Sequence, residues 1–75
     1  MKIMKGGKEM NMALLKLKRK SKHISQLDLA NHFKYTRQNV SNKERGLQPW
    51  KLSEIKELMS ILELTPEEVI EIFIN

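Results

Sequence analysis

Residues 37–45, Arg-Gln-Asn-Val-Ser-Asn-Lys-Glu-Arg, hold a single aliphatic side chain, Val40, among amides, a hydroxyl and charges. Wound as a helix at about 100° per residue with Val40 at zero, Thr36, Lys43 and Glu44 fall within about 60° of it. Gln38, Ser41, Asn42 and Arg45 lie on the opposite side, with Arg37 and Asn39 near the helix start. These groups donate and accept hydrogen bonds along flat edges. A carboxamide pairs bidentately with adenine, a guanidinium with guanine, and a hydroxyl serves either a base or a phosphate. An ordinary solvated helix face would more commonly carry Glu and Lys.

Acid–base or metal chemistry needs converging titratable groups. The best candidates are Asp28 and His32, four residues apart on one helix face and without a third ligand or partner, a spacing that a surface i,i+4 pair explains. No catalytic residue, metal, cofactor or small-molecule ligand is therefore expected. With no cysteine, neither a disulfide framework nor a thiolate site is available, and a cytoplasmic location is expected.

The chain has 75 residues, enough for one domain with a small core and no large enclosed active site. Its net charge of +5 conceals a division. Residues 1–46 hold twelve Lys/Arg and three Asp/Glu, and residues 47–75 hold two and six. This split suggests a surface that attracts a polyanion beside one that does not. Residues 1–8 read as a flexible basic leader around Gly6-Gly7, without the apolar segment of a signal peptide, and residues 9–75 as the domain. No apolar run approaches the ~20 residues of a membrane span.

Holding the polar face still requires neighbouring elements, and the pattern predicts five short helices and no strand. Residues 9–20 form the first, with Met10, Leu14 and Leu17 as its inward stripe. Ser25 caps the second and Asp28 completes a capping box, with Leu29, Ala30 and Phe33 facing inward. Thr36 caps the third and Gly46 closes it. Leu52, Ile55, Met59 and Leu62 mark the fourth. Thr65, Pro66 and Glu68 open the fifth.

The run "SQLDLANHFKYTRQNVSNKERG", Ser25 to Gly46, resembles the helix-turn-helix of the Xre family, the lambda-repressor-like and Cro-like DNA-binding domains. The similarity lies in Gln26 at the head of the second helix, Ala30 at the helix crossing, Val40 as the buried aliphatic, and the "S-x-x-E-x-G" ending formed by Ser41, Glu44 and Gly46. It extends loosely from about Met10 to Phe73. Two departures are Lys34, where the family usually has a turn glycine, and Lys43, where relatives carry a large apolar residue. The stem of Lys43 is expected along apolar surface, its ammonium reaching outward over Trp50.

The resemblance implies an all-α, five-helix lambda-repressor-like fold and transcriptional regulation through double-stranded DNA, with the third helix in the major groove. Under it Arg37, Gln38, Ser41 and Asn42 contact bases, while Gln26, Lys22, Lys34 and Arg45 contact phosphates. Glu44 turns inward, and relatives pair it with a basic residue of the first helix, here Lys18. The last helix carries Val69, Ile70, Ile72, Phe73 and Ile74, more than one face can bury. Packing Val69 and Phe73 inward leaves Ile70 and Ile74 as a homodimer contact, suited to a palindromic operator. A protein-interaction module on the same fold, such as an antitoxin, is the alternative, since fold does not fix function. Membrane-surface binding by the lysine-rich first helix is disfavoured because Leu14 and Leu17 are wanted in the core.

Overall fold

The computed structural model describes residues 11–74, all of whose regular structure is helical. Helix α1 spans Met12–Ser21, α2 Gln26–Phe33, α3 Arg37–Glu44 and α4 Leu52–Ile61; α5, Pro66–Val69, runs on as a π-helical turn over Ile70–Ile74. None of them is long and apolar enough to cross a membrane. The proposed leader and Met10 lie outside the described residues.

Four of the five helix starts follow from a side-chain cap. The Asn11 side chain accepts the Leu14 N–H at 3.1 Å, Ser25 that of Asp28 at 2.9 Å, Thr36 that of Asn39 at 3.1 Å and Thr65 that of Glu68 at 3.1 Å. Asp28 and Glu68 return the bond to the backbone N–H of Ser25 and Thr65, completing two capping boxes. The starts of α2, α3 and α5 stand where the side chains foretell them, whereas α1 begins at Met12 behind its Asn11 cap and not at residue 9.

The first four helices end alike. Past each last turn one residue takes a left-handed conformation: His23 (φ 61°), Lys34 (φ 61°), Gly46 (φ 79°) and Glu63 (φ 55°). Paired 6→1 and 5→2 backbone bonds follow, as in Tyr35 N–H to Ala30 C=O at 2.8 Å and Lys34 N–H to Asn31 C=O at 3.3 Å. Lys34 thus adopts a left-handed geometry that ordinarily favours glycine.

The core gathers Leu15, Leu29, Ala30, Val40, Trp50 and Leu58 with Leu62, Leu64, Ile72 and Phe73. Two expected stripes are corrected by it. Leu15 is fully buried, whereas Leu17 is 62% exposed, because the inward line of α1 runs through Leu15 and Arg19 at i,i+4. On α4, Leu58 and Leu62 take the centre, Ile55 and Met59 pack beside them, and Leu52 is exposed. On the last helix Ile72 and Phe73 are buried and Val69 packs on the core, which leaves Ile70 53% and Ile74 69% exposed.

Charge also holds the elements together. Lys18 pairs with Glu68 at 2.8 Å, Lys22 with Glu63 at 2.5 Å and Lys43 with Glu54 at 3.4 Å, while His32 meets Glu57 at 2.5 Å. All four contacts join the basic first part of the chain to the acidic second part. The expected separate basic and acidic surfaces are therefore, in part, one seam.

Candidate nucleic-acid interface

Helix α3 is fixed from its inner side. Val40, Lys43 and Glu44 are buried, as the helical angles require, and two different ion-pair networks grip the helix there.

The first network centres on Glu44, fully buried. Arg19 Nε donates to its Oε2 at 2.6 Å and Nη2 to its Oε1 at 3.1 Å, a bidentate pair. Arg19 Nη1 also donates to the Ile24 carbonyl at 2.9 Å. Gln26 Nε2 donates to Glu44 Oε1 at 3.0 Å, so one carboxylate ties α1, α2 and α3. The expected Lys18–Glu44 pair is corrected: Lys18 lies away from the Leu15–Arg19 line and reaches Glu68 instead. Arg19 escaped the sequence reading because a hydrophobic pattern cannot see a guanidinium buried on the apolar face.

The second network surrounds Lys43. Its Nζ lies 5.5 Å from the Trp50 ring centre and 5.7 Å from that of Tyr35, and donates to the Pro49 carbonyl at 3.0 Å. The ammonium lies over Trp50 as expected but is buried and not outward, since two ring faces, a carbonyl and the Glu54 carboxylate together replace water around the charge. Glu54 also accepts the Tyr35 hydroxyl and, at 2.7 Å, the Lys51 N–H. Burial works to raise the Glu54 carboxyl, but the Tyr35 hydroxyl, the Lys51 N–H and the Lys43 ammonium outweigh it and hold the group below its ordinary range. Glu54, three residues past the N-cap position of α4, was legible only as a helix-start acid.

With its inner side fixed, α3 offers an ordered outer side. Gln38 and Arg45 are exposed and Ser41 and Asn42 half-buried. Gln38 Nε2 donates to Asn42 Oδ1 at 3.0 Å, and Arg45 Nη2 donates to the same oxygen at 3.3 Å. The three side chains form a hydrogen-bonded row along one face. Arg37 is exposed at the first position of the helix.

The remaining expected contacts are distributed unevenly. Gln26 is half-buried at the head of α2, oriented by Glu44. Lys34 is exposed in the left-handed cap between α2 and α3. Lys22, by contrast, is engaged by Glu63, whose carboxyl it holds low. An open groove brings Arg37 and Gln26 together with two residues that the sequence reading left unassigned, Lys16 and Lys20 of α1. Their i,i+4 spacing was visible, but which face of α1 would meet α3 was not.

Searches of this chain against family models, curated proteins and solved structures found no match. The functional reading rests on the geometry of its own side chains.

Proposed function

We propose that this chain is a sequence-specific reader of double-stranded DNA, a transcriptional regulator of the helix-turn-helix class resembling the Xre family. In this reading α2 and α3 are the two helices of the motif, joined through Lys34, Tyr35 and Thr36. The observation that carries it is the row Gln38–Asn42–Arg45 on the outer side of a helix whose inner side is locked by the Glu44 and Lys43 networks. A rigid helix presenting amides and a guanidinium suits the donor and acceptor edges of the major groove. Arg37, Gln38, Ser41 and Asn42 take the bases. Arg45, Lys34 and Gln26 take phosphates, and Lys22 joins them only by releasing Glu63. The chain acts on a palindromic operator as a homodimer through Ile70 and Ile74.

Selection from a random duplex pool at about 150 mM salt, where non-specific binding is weak, tests this reading. An enriched sequence is expected. Gln38→Ala or Asn42→Ala should then weaken the enriched site by about 1–3 kcal/mol and spare random duplex. Arg45→Ala should weaken both and lower the salt slope by about one. A folded protein that enriches nothing, or amide variants that bind the enriched site as tightly as the parent, would sink the proposal.

A further inference from the structure

Helix α1 sorts its cations by face. Lys18 and Lys22 point to the acidic second part of the chain and pair with Glu68 and Glu63. Lys16 and Lys20, one turn apart, instead line the groove that runs past the first turn of α2 to the start of α3. Arg37 enters from the α3 side, and Ser25 and Gln26 from the α2 side. Arg19 also borders the groove, but Glu44 cancels its charge. No carboxylate lines the groove, and among the described residues none pairs with Lys16, Lys20 or Arg37. The nearby Asp28 carboxylate is turned to the Ser25 N–H, which holds its carboxyl below the ordinary range.

Lys16 and Lys20 thus converge, with the base-directed Arg37 at its α3 edge, on an open, carboxylate-free groove beside the first turn of α2. We infer that this groove is a phosphate site, filled in the complex by a backbone phosphodiester, so that α1 binds nucleic acid alongside α3. The inference rests on the DNA reading proposed above. Two lysines on flexible stems act as point charges, and no aromatic lines the groove to stack a base. The site therefore takes backbone and not sequence. Gln26 serves it as an oriented donor, one amide N–H committed to Glu44 and the other left over. Free phosphate offers the same chemistry as the diester, and the experiment separates the two sources.

The full chain is compared with the double variant Lys16→Gln plus Lys20→Gln, and with Lys51→Gln plus Lys56→Gln, two exposed lysines of the acidic second part, as an equal-charge control; thermal melts confirm folding of all three. On the selected duplex and on random duplex alike, the groove variant should lose about tenfold in affinity at moderate salt, with a salt slope lower by about two. The ratio between the duplexes should not change. The control should keep the parent slope. If the groove variant matches the parent, or if the control loses as much, the groove inference is overturned while the reading of bases by α3 stands.

A parallel titration with sodium pyrophosphate follows the amide resonances of Gln26, Leu27 and Arg37. Shifts that vanish in the groove variant support the site independently of DNA. If the parent binds no duplex but shows those shifts, the DNA reading falls and the groove stands as a site for free phosphate. If it shows neither, both fall.

Discussion

A single buried carboxylate sets the relation of three helices. Glu44 receives Arg19 from α1 and Gln26 from α2 while belonging to α3, so its loss strands a buried guanidinium and unties the first turn of α2. Removing one partner of a well-buried pair costs about 3–5 kcal/mol, far above what a surface pair contributes. Glu44→Ala and Arg19→Ala should each lower the melting temperature sharply. Lys18→Ala should leave it nearly unchanged, because its contact with Glu68 is partly exposed. Thermal denaturation of the three variants checks this. A stable Glu44→Ala protein, or a Lys18→Ala protein as impaired as Arg19→Ala, would refute the assignment.

At the level of elements, the turns are more uniform than the sequence that makes them. Four helices close with the same paired bonds, yet only one of the four left-handed positions is glycine. At Lys34 the αL conformation costs a side-chain-bearing residue about 1–2 kcal/mol, partly offset on substitution by the greater unfolded-state freedom of glycine, ~0.5–1 kcal/mol. Lys34→Gly should therefore stabilise the protein by about 0.5–1 kcal/mol. A urea midpoint that rises at unchanged slope is the expected result, and one that falls would show that Lys34 contributes contacts worth more than its strain. The same variant should bind DNA more weakly through the lost charge, separating stability from affinity at one position.

For the whole molecule, the exposed pair Ile70 and Ile74 and the proposed operator symmetry belong together. A lone recognition helix reads few base pairs, whereas a two-fold pair reads half-sites about 10 bp apart. Both isoleucines stand out from the terminal turn while Ile72 and Phe73 anchor that turn in the core. Ile70→Glu plus Ile74→Glu should leave the fold intact and abolish self-association in sedimentation at tens of micromolar. A parent protein that is monomeric both free and on a palindromic duplex would remove the dimer from the proposal.

What the chain wrote locally could be read locally. The N-caps Ser25, Thr36 and Thr65, the Asp28 and Glu68 capping boxes and Gly46 act within three or four residues, so their side chains alone determined where α2, α3 and α5 begin and where α3 ends. The polar outer face of α3 was legible for the same reason, since Val40 and the helical period place Gln38, Asn42 and Arg45 opposite the core. Choices made between distant segments were not legible. Whether Lys18 or Arg19 meets Glu44 depends on the rotation of α1, and a lysine-rich helix whose apolar stripe can be drawn through Leu14 and Leu17 or through Leu15 leaves that rotation undetermined. Packing settled it by burying Leu15 and Arg19 together. That same rotation sent Lys18 and Lys22 to the acidic helices and left Lys16 and Lys20 in the groove, because charge sets only how strongly an anion is attracted, whereas the tertiary arrangement decides which cations remain available to it.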